Sequence, residues 1–297
     1  MKKCLILVNA YSRLKSALNQ SDRLKEEFAR LGVIADVRPN DFFVCSVEEG
    51  GGLACAAKGY DFCVYLDKDK YAARMLEKCG LRLFNHAQAI ETCDDKMLTS
   101  IALSGRSIPM PRTLPGLLCY SPEEPVKESV LDDVERVLGY PVVIKSSYGS
   151  LGSGVFRADN REELEDIAEK LKCTPHLFQR YVAESAGRDA RVIVIGGNVV
   201  AAMQRRSATD FRSNLELGGE GSPLEPDERL KAVCVGAAAA LGLDYCGVDV
   251  LFGESGYLVC EVNSNAFFGG MERVTAINVA REYAKYMFSE VYGGGNE

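Results

Sequence analysis

Apolar and polar residues follow one another in the first ninety positions in blocks that predict strands and helices in turn. Helices are predicted from a cap at Ser21 to a stop at Gly32, and over Lys70–Lys78. Strands alternating with helices predict a small parallel α/β domain over residues 1–90. The predicted buried strands are Cys4–Val8, Val33–Val37 and Phe62–Leu66.

From about residue 91 the pattern changes to strand pairs with fewer helices between them. Helices are predicted over Glu162–Leu171 and Asp227–Leu241. Because few strands of this part have a helical crossover on both sides, largely antiparallel sheets are expected, in an α+β arrangement. The predicted strands are Val142–Lys145, Val155–Arg157, Leu177–Val182, Arg191–Ile195, Val199–Arg205, Tyr245–Phe252 and Tyr257–Asn263.

Composition and charge narrow the classes of function. The 297 residues are 47% hydrophobic and 26% charged, as in ordinary globular proteins, and the net charge is -7. An acidic chain is not expected to bind nucleic acid strongly through bulk charge. The apolar runs are too short for a signal peptide or a membrane span, so a cytoplasmic protein without membrane partners is expected.

The cysteines and histidines do not indicate a catalytic or metal-binding group. The eleven cysteines lie singly in apolar runs, and no two are spaced as C-x-x-C. Small buried thiols in a reducing compartment explain them better than disulfides or zinc ligands do. The two histidines, His86 and His176, are isolated, so covalent nucleophilic catalysis has little support.

The strongest chemical pattern is a hairpin near the C-terminus, GVDVLFGESGYLVCEVNSN. A three-residue loop, Glu254–Gly256, would place Asp249 opposite Glu261, with Asn263 two residues further on the same face. Two carboxylates opposite one another destabilise a hairpin unless a cation compensates them. Three oxygen donors suit Mg²⁺ (or Mn²⁺), which shares its ligand shell with nucleotide phosphates. A solvated polar face is the alternative, although the flanking residues are apolar.

A lysine followed by a glycine-rich loop forms the second pattern. Lys145 ends a predicted buried strand, and Gly149, Gly152 and Gly154 precede the next strand. Backbone N–H groups of such a loop can surround phosphate oxygens, and the lysine adds positive charge. The residue order is not that of a P-loop, and an ordinary glycine hairpin explains these residues equally well.

A cationic set stands out in this acidic chain, on predicted strand ends and in a loop. Asp189 shares a strand face with Arg191, one member of the set. Because these cationic side chains are concentrated on strand ends and in one loop, they are better explained by binding of a polyanion than by simple exposure to solvent. The members are Lys96, Lys145, Arg191, Arg205, Arg206 and Arg212.

The order of these residues resembles the ATP-grasp superfamily, and within it the RimK-like α-L-glutamate ligases that modify ribosomal protein tails and related amines. The resemblance implies an ATP-grasp fold over residues 91–297, with a central lobe at 91–182 and a metal- and substrate-binding lobe at 183–297. The small α/β domain would precede it. The segments that carry the resemblance are Asp95-Lys96, Val143–Lys145, Phe178–Tyr181, Gly187–Arg191, Asp210–Asn214 and Glu261–Asn263.

The same resemblance implies a role for individual residues. The lysines would contact ATP phosphates under the loop Gly149–Gly154, and the hinge beside adenine would run from Gln179 to Val182. Arg212 and Asn214 would act at the reacting centre, while Asp249, Glu261 and Asn263 would hold magnesium. The implied ATP contacts are Lys96, Lys145, Gly149, Gly152, Gly154, Gln179, Arg180, Tyr181, Val182, Asp189, Arg212, Ser213 and Asn214.

The activity implied is the ATP-dependent joining of a carboxylate to an amine through an acyl phosphate. Small-molecule or peptide substrates, or a protein tail, would be the partners, an amino acid such as glutamate would be joined, and a homo-oligomer would fit the family. The segment Ser264–Gly270 departs from the family pattern, as does Arg180, where an acidic residue is usual. Two other classes stay open: a nucleotide-binding regulatory module without catalysis, and a small-molecule kinase.

Overall fold

The computed structural model describes residues 1–150 and 152–293. The strands are β1 (Lys3–Val8), β2 (Ile34–Pro39), β3 (Cys45–Val47), β4 (Leu53–Cys55), β5 (Phe62–Leu66), β6 (Arg82–Phe84), β7 (Thr113–Pro115), β8 (Val142–Ser146), β9 (Val155–Ala158), β10 (His176–Arg180), β11 (Arg188–Ile195), β12 (Asn198–Arg206), β13 (Glu220–Pro223), β14 (Tyr245–Gly253) and β15 (Gly256–Asn263). The helices are α1 (Lys15–Arg30), α2 (Lys70–Lys78), α3 (Ala87–Asp94), α4 (Lys96–Leu103), α5 (Glu128–Leu138), α6 (Arg161–Leu171), α7 (Glu228–Leu241), α8 (Gly269–Thr275) and α9 (Val279–Tyr292).

The first sheet is parallel, in the order β2-β1-β5-β6, which confirms the α/β arrangement expected near the N-terminus. Side chains of β1 alternate between its two faces. Leu5 and Leu7 pack in one core with Leu76 of α2. The opposite face shares a larger core with the C-terminal part of the chain, where Phe62 packs in the same cluster as Tyr283 of α9.

The other two large sheets are antiparallel, as the strand pairs predicted. One has the order β7-β10-β8-β9 and the other β13-β12-β11-β14-β15. Helices α5 and α6 bury apolar residues against the four-stranded sheet, and α7 does so against the five-stranded one. The ends of β8 and the hairpin β14–β15 meet between these sheets, which places the polar residues of both patterns in one region.

The largest error in a predicted boundary is at the start of α1. Helix α1 begins at Lys15 and not after Ser21, whose hydroxyl group donates to the carbonyl oxygen of Leu18 within the helix. The part of α1 before Ser21 is stabilised by a tertiary contact, because the side-chain amide of Gln20 donates to the carbonyl oxygen of Ala266 at 3.3 Å. Among the described residues, no helix combines the length and apolarity that crossing a bilayer requires.

Candidate active site

The hairpin of β14 and β15 brings the predicted carboxylates together. Asp249 lies directly opposite Glu261, and Asn263 lies two residues further along β15, opposite Gly247. All three oxygen-bearing side chains therefore share one face of the sheet. Asp249 is buried, whereas Asn263 and the side chain of Glu261 are partly exposed.

The turn of this hairpin differs from the prediction. Gly253 pairs with Gly256, so the loop has two residues and the predicted three-residue loop is wrong. A shift in the register next to Asp249 leaves Cys260 as an extra residue, which makes a β-bulge. The loop is one residue shorter than predicted, and the bulge adds one residue to β15. The two differences cancel, so the carboxylates still lie opposite one another.

Two arginines compensate the charge of Asp249. Arg191 lies opposite it on β11 and donates to both carboxylate oxygens, with Nη2 to Oδ2 at 2.6 Å. Arg205 lies 3.0 Å from Oδ1 of Asp249 and also donates Nε to Asp189 at 2.8 Å. Burial alone would raise the pKa of Asp249, but the two guanidinium groups outweigh it and hold that pKa below its ordinary value.

The oxygen donors of this face suit Mg²⁺. Glu261 has Lys96 as its cationic neighbour, with 3.8 Å between Nζ and Oε1, and its side chain is 27% exposed. A carboxylate oxygen has two lone pairs, so Asp249 could keep its arginine contacts and still contribute one lone pair to a metal ion. A set of carboxylate and amide oxygens is the ligand chemistry that Mg²⁺ prefers.

The two lysines donate hydrogen bonds to neutral groups, and Lys96 also lies 3.8 Å from the carboxylate of Glu261. Lys145 is buried, donates from Nζ to Oε1 of Gln179 at 2.7 Å, and lies 3.3 Å from Sγ of Cys260. Lys96 donates to the carbonyl oxygen of Gly149 at 2.9 Å. Burial lowers the pKa of Lys96, because its charged form has lost hydration. Nearby anionic ligands would be expected to stabilise both ammonium groups.

The glycine loop contacts the segment 212–214. Arg212 pairs with Asp210 and donates from Nη1 to the carbonyl oxygen of Gly152 at 2.8 Å. Gly152 has a φ of +76°, and a Cβ there would come within 3.4 Å of Oδ1 of Asn214. Ser213 is buried. The loop therefore lies against the predicted reacting-centre residues, although its Leu151 falls outside the described part of the chain.

The remaining predicted nucleotide contacts lie at the end of β10 and in the same loop. Val182 is buried, and Arg180 is exposed. The ring of Tyr181 packs edge-on near Phe211, with the ring centroids 6.4 Å apart. Gly154 has a φ of +71°, and a Cβ there would come 2.9 Å from the hydroxyl oxygen of a neighbouring serine. These positions border the lysines through Gln179.

A cavity of about 870 Å³ lies over this face, between the start of α1 and the segment 264–270. Glu261, Asn263 and Phe267 line it. Its basic side chains outnumber its acidic ones, but Arg191 and Arg205 are already paired with Asp249, and Lys68 with Asp94. Lys15 and Arg273 are the lining residues whose charge favours a ligand with carboxylate or phosphate groups. The basic residues that line it are Lys15, Lys68, Arg191, Arg205 and Arg273, and the acidic ones are Asp67 and Glu261.

The family model of the RimK-like ATP-grasp domain matches residues 93–287. The chain belongs to the RimK-like ATP-grasp family. The human N-acetylaspartylglutamate synthase A is 39% identical over 230 residues, which cover 76% of this chain and 57% of that protein. A probable alpha-L-glutamate ligase 1 of Pseudoalteromonas atlantica is 37% identical over 217 residues, 72% of this chain and 69% of that one. The chain spans less than 60% of the length of the first of these relatives.

Solved structures confirm the ATP-grasp fold. A RimK domain protein of Sphaerobacter thermophilus superposes with a TM-score of 0.71 at 21% identity, over 95% of this chain and 98% of that one. A D-alanine–D-alanine ligase of Bacillus anthracis, complexed with ATP, superposes with a TM-score of 0.75 at 16% identity, over 99% and 100%. The α/β plus α+β class expected from the sequence is therefore that of the family.

Several residues of the site were missed by sequence reasoning. Asn85 is buried and donates to the carbonyl oxygens of Tyr245 and Ser264, both at 2.8 Å, which fixes the chain just after Asn263. Asp67 accepts from Asn9 at 3.0 Å at the edge of the parallel sheet. Ligands bind outside the carboxyl ends of parallel strands, so the positions of Asn9 and Asp67 just after predicted strands could have identified them. No comparable pattern in the sequence indicates a role for Asn85.

One member of the cationic set lies apart from the rest. Arg206 is exposed at the end of β12 and donates to Gln204 at 3.4 Å. Its neighbour Arg205 is 3% exposed and points to the carboxylates. Strand alternation explains the difference, since successive side chains point to opposite faces.

Proposed function

We propose that the protein is an ATP-dependent ligase that joins a carboxylate to an amine through an acyl phosphate. The observation that carries the proposal is the meeting of Asp249 and Glu261 with two lysines whose hydrogen-bond acceptors are neutral. Membership of the RimK-like family supports it, as do solved ligases of the same fold that are complexed with ATP, or with Mg and ADP.

The residues present would hold Mg²⁺ and ATP in the following way. Asp249, Glu261 and Asn263 would bind Mg²⁺, which supplies positive charge beside the transferring phosphoryl group. Lys96 and Lys145 would exchange their neutral partners for phosphate oxygens. The glycine loop would cover the phosphates and exclude water, which would otherwise hydrolyse the activated carboxylate.

The reaction needs two displacements. An oxygen of the substrate carboxylate attacks the γ-phosphorus of ATP, the bond from that phosphorus to the bridging oxygen breaks, and ADP leaves. The amine nitrogen then attacks the acyl carbon, the carbon–oxygen bond to the phosphate breaks, and inorganic phosphate leaves with the electron pair. The nitrogen loses its proton to solvent. Arg212 and Asn214 would stabilise the oxyanion that develops in the second step.

Lys15 and Arg273 line the cavity in addition to the paired basic residues, and their charge favours substrates with more than one carboxylate. Two relatives, N-acetylaspartylglutamate synthase A and beta-citrylglutamate synthase B, are named after products in which glutamate is combined with a polycarboxylic acid. N-acetylaspartate and citrate are therefore suitable carboxylates for a first panel, and glutamate a suitable amine. A peptide or protein tail rich in carboxylates belongs in the same panel.

Trapping with hydroxylamine tests the proposal. The full chain, ATP and Mg²⁺ are mixed with each acid, and ADP and hydroxamate are measured. A ligase forms hydroxamate in proportion to ADP, because hydroxylamine attacks an acyl phosphate. A kinase would release ADP without hydroxamate, since phosphate esters do not react in this way. A regulatory module would bind ATP and release no ADP with any member of the panel.

The Asp249→Asn and Glu261→Gln double variant is the control for the metal ligands. We expect it to lose ADP release, because magnesium would no longer be held beside the phosphates. ADP release at the wild-type rate in this variant would show that the assignment of these ligands is wrong.

A further inference from the structure

Three cysteine side chains from different elements meet in the N-terminal part of the protein. Cys45 lies on β3, Cys55 lies opposite it on β4, and Cys79 follows the last residue of α2. Their Sγ atoms all lie within 4.8 Å of one another. None of the three is among the residues that line the cavity of the proposed active site.

The backbone explains why the first two thiols are so close. Backbone N–H groups of Ala56 and Glu48 donate to the carbonyl oxygens of Val44 and Gly52, on either side of the Cys45–Cys55 pair. This alternation makes Cys45–Cys55 a pair without hydrogen bonds between its backbones, the kind in which side chains come closest. The end of α2 supplies the third thiol from outside the hairpin.

Burial and spacing both suit a metal ion. Cys45 is buried, while Cys55 and Cys79 are partly exposed, so an ion could enter from solvent. Zinc–sulfur bonds of about 2.3 Å put thiolates about 3.8–4.0 Å apart, so only small shifts would be needed.

We propose that Cys45, Cys55 and Cys79 together bind one thiophilic metal ion, Zn²⁺ or Cu⁺. Each thiol releases its proton to solvent as its sulfur bonds the ion, and a water molecule would complete a four-coordinate Zn²⁺ site. Soft sulfur donors distinguish this site from the oxygen donors of the active site. The ion would tie two three-residue strands, which form a weak hairpin by themselves, to α2.

Metal titration of the reduced, metal-free full chain tests the proposal. Zn²⁺ is titrated against a chromophoric chelator, and Cu⁺ in a separate anaerobic arm. We expect one equivalent of one of these ions to bind, at least 100-fold more weakly in Cys55→Ser and in Cys79→Ser. The matched control is Cys173→Ser, which removes an exposed thiol outside the cluster and should leave the affinity unchanged. The arm that shows this pattern identifies the ion.

A measurement without mutations guards against misfolded variants. In the wild-type chain, the bound ion should protect Cys55 and Cys79 from iodoacetamide and leave Cys173 reactive, as judged by peptide mass. Equal metal binding in all three variants, or no protection, would overturn the proposal. So would a disulfide between Cys45 and Cys55 in protein purified under reducing conditions, because those sulfurs could not both bind an ion.

Discussion

The two sides of the proposed nucleotide site compensate their buried charges in different ways. On the five-stranded sheet, Asp249 is bonded by Arg191 and Arg205, so the charges are paired within the protein. On the other side, Lys145 and Lys96 have an amide and a carbonyl oxygen as hydrogen-bond acceptors. A buried ammonium group with neutral partners gains more from an incoming anion than an arginine already paired with a carboxylate.

The two sides are therefore suited to different roles. On the carboxylate side, the arginines hold Asp249 in place, which fits a surface that orients ligands. On the lysine side, the ammonium group of Lys145 donates to an amide oxygen and not to a carboxylate, which fits binding of a polyanion such as a triphosphate.

Removal of the lysine charge should have the largest effect on activity. We expect Lys145→Met to reduce the rate of ADP release by about 100- to 1000-fold, because a charge that stabilises the transferring group is lost. Lys172→Met is the matched control: Lys172 is also buried, but its Nζ bonds Glu169 and the carbonyl oxygen of Glu124. That variant should keep its rate of ADP release. Equal losses in both variants would contradict a special role for the lysine side.

Removal of an arginine should affect stability more than any other change on the carboxylate side. We expect Arg205→Met to lower the free energy of unfolding by about 3–5 kcal/mol, because Asp189 and Asp249 would lose a buried partner. Urea denaturation measures this. Arg136→Met breaks the exposed pair with Asp133 and should cost less than about 1 kcal/mol. A small effect for Arg205 would mean that the carboxylate side is not self-compensated.

Asn85→Ala should lower stability by removing hydrogen bonds to the backbone next to the carboxylate side. The backbone groups of Tyr245 and Ser264 would lose their partners, at a cost of about 1–3 kcal/mol in unfolding free energy. The control is Asn198→Ala, at an exposed turn. If both variants unfold at the same urea concentration, Asn85 does not hold the segment after Asn263.

Gly152→Ala should have the smallest effect and concern ligand binding. Its φ of +76° costs an alanine about 1–2 kcal/mol, and the new Cβ would lie 3.0 Å from Leu217. We expect the KM for ATP to rise by up to about tenfold. Gly32→Ala carries similar strain at a φ of +71° in open space, and should lower stability without changing that KM. If Gly152→Ala and Gly32→Ala changed the KM for ATP equally, the change would not be due to the glycine loop.

The sequence predicted the pairing of Asp249 with Glu261 correctly, although by a loop that the structure does not have. Alternation of side chains determines which residues share a face, whereas the bulge at Cys260 depends on contacts with other elements, including Lys145. Periodicity located β5 and α2 to the residue. It could not locate the start of α1 or the role of Asn85, because both depend on residues far away in the chain.

Calorimetry of a non-hydrolysable ATP analogue, with and without Mg²⁺, tests whether the β14–β15 hairpin holds the metal ion of a bound triphosphate. We predict that Mg²⁺ strengthens binding to the wild-type chain and to Glu254→Gln, an exposed position in the turn of the same hairpin. The gain should disappear in Glu261→Gln. A full Mg²⁺-dependent gain in Glu261→Gln would contradict the account.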